Sequence, residues 1–365
     1  MKKYKKHSLA ALVTVLSFGV LLSSWSGVGD PLGEGYPYHH MERGFRNPAD
    51  SPVRDEKASG SSFFPQFVWK QLTRGQPELP DNHLVSAHEA RKALADVKQE
   101  DSMSWIGHST YLVRLDGITV LTDPIFSNRA SPLTFAGPKR VPPFGLNLED
   151  LPQIDIVVIS HAHYDHLDTR TLDRLPNPEK ITAIVPLGLG GYFIKRGFGK
   201  VHEVDWYDEV TLPSQSGEFR LTAYPAIHWS NRSPFDRNRT LWMSYGFSAG
   251  GVSIYHTGDT ATHPDEFKKI GAHMARHHNG CDIGLISVGA YEPRAFMMSS
   301  HTDPEGGVQI GRDVGCRLMS PMHWGTFVLS LEPFSEPRTR FLKAAAEQAV
   351  IMKIGETISL SDFKN

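Results

Sequence analysis

The stretch Ser160-His161-Ala162-His163-Tyr164-Asp165-His166-Leu167-Asp168 packs three imidazoles and a carboxylate into the six residues from 161 to 166. It follows an apolar, β-branched run, Ile154-Asp155-Ile156-Val157-Val158-Ile159, that reads as a buried strand. On an extended segment residues i and i+2 share a face, so His161 and His163 can grip one ion. Once the chain turns, Asp165 and His166 can grip a second. Imidazole and carboxylate donors suit zinc and its neighbours. The bland alternative is a surface histidine cluster. With 18 histidines in 365 residues close pairs arise by chance, but an H-x-H-x-D-H run directly after a buried strand is a far narrower coincidence.

Four donors from one loop do not complete two metal sites, so further His or Asp residues are expected at other strand ends. Three are found. The run Phe219 to Ile227 leads to His228, Gly251 to Gly258 leads to Asp259, and Arg317 to Met322 leads to His323. Each taken singly reads as a cap or a hydrogen-bonded loop residue. Together with the first motif they form a series in which each donor ends its own strand.

More specific segments accompany the series. They are Trp105-Ile106-Gly107-His108-Ser109-Thr110, Leu121-Thr122-Asp123-Pro124-Ile125-Phe126-Ser127, Gly137-Pro138-Lys139-Arg140, Gly289-Ala290-Tyr291-Glu292-Pro293-Arg294 and His323-Trp324-Gly325-Thr326-Phe327. With these, the chain from about Gly44 onward resembles the metallo-β-lactamase superfamily. Within it, the chain is similar to the N-acylphosphatidylethanolamine-hydrolysing phospholipase D family and its bacterial relatives. The resemblance implies an α/β fold, an αββα sandwich with its metal site at one rim of the two sheets. It implies two zinc ions, one held by His161, His163 and His228, the other by Asp165, His166 and His323, with Asp259 bridging them. Iron or manganese would use the same ligand types. Asp165 and Asp259 would act in catalysis. His301 would be an active-site acid or a substrate contact, although a helix-start role ahead of Asp303-Pro304 fits it as well. The implied reaction is cleavage of a phospholipid phosphodiester to an N-acylethanolamine and phosphatidic acid. A di-metal hydrolase of a lactone, a β-lactam or another phosphoester is the alternative, and a non-catalytic envelope binding protein is a third class.

Other roles are read from residue chemistry. Asp123 and Asp168 can orient ligand imidazoles, or can be turn residues. Lys139, Arg140 and Arg294 are cations that can meet a phosphate. Residues 61–70 set four aromatics beside Lys70, a pattern for a membrane surface or for core. The formal charge of −2 offers no global basic field, so nucleic acid is not expected as a partner.

The N-terminus reads as a targeting segment. Lysines at 2, 3, 5 and 6 precede an apolar stretch from Leu9 to Leu22, and no Asp, Glu, Lys or Arg falls between Lys6 and Asp30. Residues 1–26 are thus expected to be a cleaved export signal or a retained anchor of an envelope protein. Residues 27–100 are expected to form an extension wrapping the core, and 101–365 the hydrolase domain. Only two cysteines occur, Cys281 and Cys316, each opening an apolar run. If those runs are parallel neighbours, a disulfide is possible in an oxidising compartment; two buried thiols are equally consistent.

The remaining pattern predicts helices near 84–99, 188–199, 265–273, 303–313 and 341–350. It predicts hairpins at 111–121, turning at Asp116-Gly117, and at 241–255, turning at Gly250-Gly251. A final strand pair is expected from 351–354 and 357–360.

Overall fold

The computed structural model describes residues 28–54, 69–71 and 73–363. The proposed N-terminal signal, and most of the aromatic stretch from 61 to 70, lie outside the described residues. A short ribbon of β1 (His40–Met41) and β2 (Gly44–Phe45) precedes helix α1 (Ala87–Asp96). Then come β3 (Ser102–Gly107), β4 (Thr110–Leu115), β5 (Ile118–Thr122), β6 (Ile156–Val158), helix α2 (Thr169–Leu172), β7 (Thr182–Pro186), helix α3 (Gly190–Ile194) and β8 (Lys200–Val204). The second half has β9 (Glu209–Pro213), β10 (Glu218–Tyr224), β11 (Ser244–Ala249), β12 (Val252–His256), α4 (Glu266–His277), β13 (Cys281–Ser287), α5 (Arg294–Met297), α6 (Pro304–Val314), β14 (Cys316–Met322), α7 (Glu336–Ala345) and β15 (Thr357–Ser359).

Two sheets result. The first runs β15-β3-β4-β5-β6-β7-β8 and the second β14-β13-β12-β11-β10-β9. Each is antiparallel at one end and parallel at the other, with β5 to β8 and β12 to β14 parallel. Parallel strands must end at a common edge, and that edge becomes the rim of the site.

The apolar run from 154 to 159 is continuous because both of its faces are covered. Val120, Ile156 and Val158 join the core between the sheets, with Phe219, Leu221, Phe247 and Ile283 from the second sheet. Leu121, Val157 and Ile159 point the other way, into a second cluster with Leu172 and Phe193 from α2 and α3. This is the αββα sandwich expected from the sequence. Truncating Phe219 or Phe247, both fully buried, would cost about 3–5 kcal/mol.

Helix α6 shows how local sequence sets the packing. Asp303 caps it by accepting from Gly306 N at 2.9 Å, and Pro304 follows as a first-turn residue. Gly311 lies so close to β14 that a Cβ there would sit 2.2 Å from Met319 Sδ. The helix therefore rests directly on the sheet that carries His323.

Some expectations needed correction. Residues 351–354 do not pair with 357–360. Ile354 bridges to Leu84, and β15 pairs antiparallel with β3 instead. The last helix begins at Glu336 and ends at Ala345, earlier than the alanine-rich stretch indicates. The helix expected across 188–199 is only Gly190–Ile194. The β9–β10 hairpin was not foreseen. The cysteine question resolves to a disulfide: Cys281 and Cys316 are in register on parallel β13 and β14, with Cα atoms 4.4 Å apart. Among the described residues no helix is long and apolar enough to cross a membrane.

Candidate metal centre

All seven expected donors lie at one rim, each just beyond the C-terminal end of a strand. His161, His163, Asp165 and His166 follow β6, His228 follows β10, Asp259 follows β12 and His323 follows β14. The donors gather into contiguous groups of imidazole and carboxylate atoms within 4.8 Å of one another.

One group is purely imidazole. His161 Nε2 lies 2.8 Å from His163 Nδ1, and His228 Nε2 lies 3.2 Å from that same Nδ1. The network fixes the tautomers. His228 Nδ1 faces the Ser300 carbonyl at 2.8 Å and must donate to it, leaving a lone pair on Nε2. Ser160 Oγ donates to Asp123 and therefore accepts from His161 Nδ1, leaving a lone pair on His161 Nε2. A single proton on His163 Nδ1 can satisfy only one of these two lone pairs. Burial holds all three rings well below their ordinary pKa, His163 and His228 at about 3. Neutral nitrogens converging at a largely buried site fit a cation.

The second group is rich in carboxylate. Asp165 Oδ2 lies 3.5 Å from His166 Nε2 and 3.3 Å from His323 Nε2. Asp259 Oδ2 lies 3.2 Å from His166 Nε2 and 3.0 Å from His323 Nε2. The same oxygen is 3.9 Å from both His161 Nε2 and His228 Nε2, so it faces both groups. Burial pushes His166 and His323 down, but the carboxylates outweigh it. Asp259, Asp165 and Asp123 hold His166 well above its ordinary range, and Asp259 and Asp165 raise His323 to about 9. This half carries negative charge that a metal ion would neutralise, and its donors fit one.

Asp123 stands behind a donor imidazole, as one of its two readings has it. Its Oδ2 accepts from His166 Nδ1 at 2.7 Å and its Oδ1 from Ser160 N at 2.6 Å, so His166 presents Nε2 to the site. Asp168 does not stand behind one. Its carboxylate caps α2 and accepts from Ser127 N, Arg170 N and Thr171 Oγ1. Arg294 donates to the His301 carbonyl at 3.3 Å and lies 3.7 Å from Asp303, bracing the loop rather than facing the donors. Arg140 is also redirected. It is buried, donates to the Ile125 carbonyl and packs over the rings of Phe144 and Phe327. Lys139 stays exposed. His301 is brought in: it is 9 % exposed, and its Nδ1 sits 3.9 Å from Asp259 Oδ2. Burial holds it well below its ordinary pKa, which keeps the ring neutral and disfavours a resting acid role.

Three contributors escaped the sequence reading. His108, after β3, reaches Asp165 Oδ2 through Nε2 at 3.0 Å and belongs to the carboxylate group. Asn47 holds the His228 backbone from both sides, accepting from its N–H at 3.1 Å and donating to its carbonyl at 2.8 Å. Arg232 donates to the carbonyls of Ala162 and Leu167, both at 2.8 Å, and so staples the donor loop shut. A signal for His108 existed: it follows Gly107 at a strand end, as the other donors end theirs. Three residues of the site, His108, Asp123 and His323, adopt left-handed backbone with φ of 56°, 36° and 63°, a region that non-glycine residues occupy uncommonly.

A sequence model of the Beta-lactamase superfamily domain matches residues 119–324, which carry every donor of both groups except His108. The chain belongs to the metallo-β-lactamase superfamily. Among relatives of this superfamily protein, an N-acyl-phosphatidylethanolamine-hydrolyzing phospholipase D of Caenorhabditis elegans is 37 % identical over 244 residues, 65 % of this chain and 67 % of its own. A metal-dependent hydrolase of Thermodesulfovibrio yellowstonii is 28 % identical over 277 residues, 71 % of this chain and 91 % of its own. A solved structure of a possible metal-dependent hydrolase from Veillonella parvula matches with a TM-score of 0.56 and 16 % identity, covering 72 % of this chain and 100 % of that one. It supports the fold. The protein is a metal-dependent hydrolase of this superfamily.

Proposed function

We propose that the protein is a two-metal phosphodiesterase of phospholipase D type, which cleaves N-acylphosphatidylethanolamine-like lipids to an N-acylethanolamine and phosphatidic acid. The observation that carries this reading is Asp259 Oδ2, one buried oxygen facing both donor groups, in a chain 37 % identical to a relative with that named activity. His161, His163 and His228 would hold one ion. Asp165, His166 and His323 would hold the other, with Asp259 between them. When bound, such ions supply Lewis acidity and a water acidified toward neutrality.

The chain's own residues do the rest. Asp123 and Ser160 lock the proton on His166 Nδ1, and the Ser300 carbonyl locks the one on His228 Nδ1. Five of the seven donors are buried while His163 and Asp165 keep partial exposure, so charges at the rim interact more strongly than in open water and the rim stays reachable. Trp229 lines the imidazole side, its ring 4.4 Å from that of His163. Arg237 lies over the outer face of Trp229, 4.2 Å from its centroid. Burial and the nearby Arg54 charge hold Arg237 down at about 10. A cation so placed favours an anionic headgroup over a neutral ester. His301, neutral and buried beside Asp259, is positioned as a substrate contact.

We also propose export. The basic and apolar N-terminal pattern supports it, and the Cys281–Cys316 disulfide suits an oxidising compartment. The deciding experiment is product analysis with N-acylphosphatidylethanolamine in detergent micelles, using zinc-loaded protein lacking residues 1–26. Phosphatidic acid release is the expected result. Turnover of lactones or other esters alone would move the protein to the broader class of di-metal hydrolases.

A further inference from the structure

A second cluster of metal-type donors lies apart from the rim, where the N-terminal ribbon meets the β8–β9 connection. His39 Nε2 lies 2.6 Å from Asp205 Oδ1, and His40 Nε2 lies 2.6 Å from Asp205 Oδ2. Their three donor atoms fall within 4.8 Å of one another. The His39 and His40 rings sit 4.6 Å apart at 75°, the same separation and angle as His161 and His228 in the imidazole half of the rim. His39 is buried, with its ring stacked 4.0 Å from Trp206, while His40 and Asp205 keep an open side. Neither of these histidines nor Asp205 touches the seven rim donors in any contact among the described residues.

We propose that His39, His40 and Asp205 form a separate divalent-metal site, of the zinc class, that clamps the N-terminal arm to the core. Two imidazole nitrogens and one carboxylate oxygen are a complete protein ligand set for a zinc ion that keeps water in its fourth position. With bonds of about 2.0–2.2 Å, tetrahedral donors stand on the order of 3.3–3.5 Å apart, so the pairs at 2.6 Å need open by less than about 1 Å. Without an ion, each imidazole has its own Asp205 oxygen, while His39 Nδ1 is left buried with no hydrogen-bond partner among the described residues. Asp205 is held in place for either role: its N–H donates to Asp208 Oδ2 at 2.8 Å. Trp206 N also donates to Asp205 Oδ1 at 2.7 Å.

The position gives the clamp a purpose. The arm continues from His40 through Phe45, whose N–H donates to the Asn238 carbonyl, to Asn47, which grips His228. An ion at residues 39, 40 and 205 would pin the arm that positions a rim donor. This is a structural ion, with no part in bond cleavage.

The test is equilibrium dialysis of the folded chain, lacking only residues 1–26, against Zn2+ buffered at micromolar free concentration. The bound metal is then counted by elemental analysis. D205N and H40A are expected to bind one zinc equivalent fewer than wild type, and H163A is expected to retain that equivalent while losing one from the rim. Unchanged stoichiometry in both D205N and H40A would overturn the proposal and leave the cluster an ion-pair clasp. Should either variant fail to fold, zinc-edge anomalous scattering from wild-type crystals decides. A peak bounded by His39 Nε2, His40 Nε2 and Asp205 supports the site, and its absence in zinc-soaked crystals refutes it. Loss of rim metal with this peak retained would count against the rim assignment alone.

Discussion

The two halves of the rim solve the same problem with opposite chemistry. On one side His161, His163 and His228 converge as neutral imidazoles, with the protons of His161 and His228 kept on Nδ1, where they are donated to Ser160 Oγ and the Ser300 carbonyl. On the other, His166, His323 and His108 crowd around Asp165 and Asp259, and the carboxylates hold two of the three imidazoles toward the protonated form. The imidazole half brings no charge of its own beyond the shared Asp259, so an ion there would keep more of its positive charge for substrate. The carboxylate half neutralises much of the charge of its ion. The pair is therefore electrostatically lopsided, and Asp259 is the one group common to both.

That asymmetry can be broken at several points, beginning where both halves meet. Asp259→Ala should have the largest effect, a loss of roughly 10³-fold or more in kcat/KM, about 4 kcal/mol. It should also lower metal content at both positions. Retention of more than a tenth of wild-type activity would mean that Asp259 does not join the two halves. His163→Ala and His166→Ala should each empty mainly their own half, removing one metal equivalent on dialysis. Simultaneous loss of both ions from either variant would show that the halves are not separate.

A finer probe reaches the residues behind the donors. Asp123→Asn should weaken metal binding by about 10–100-fold in a chelator competition. The effect should fall on the carboxylate half, because Asp123 fixes the His166 proton. An equal weakening of the imidazole half would mean that Ser160, which Asp123 also holds, couples the two sides. The smallest expected change is Asn47→Ala. It removes two hydrogen bonds to the His228 backbone and should cost about 1–2 kcal/mol in stability. A few-fold drop in metal affinity confined to the imidazole half should accompany it. No change in either quantity would demote the arm to a passive cover.

The same comparison explains what could be read from the sequence. Donors must sit where a strand stops and its backbone turns toward the rim, so His161, His163, His228, Asp259 and His323 stand out as breaks in apolar runs. The sandwich follows because those runs are apolar on both faces. Helpers behind the donors carry no such mark. Asn47 meets His228 across 181 residues and Arg232 meets Ala162 across 70, contacts that only the folded chain creates. Asp168 stayed open in the sequence between two roles with similar chemistry. A carboxylate that orients an imidazole and one that caps a helix both accept hydrogen bonds, and Asp168-x-x-Thr171 was the cap signature to weigh. The final strand pair failed for a topological reason: β15 found a better edge on β3 than on the segment just before it.

The most direct test of the central claim is zinc-edge anomalous scattering from crystals of the metal-loaded protein. The account predicts two peaks at the rim, about 3.5–4 Å apart as in other two-metal sites. One should lie among His161, His163 and His228, the other among Asp165, His166 and His323, with Asp259 between them. A single peak, or none at the rim of a fully loaded crystal, would contradict it.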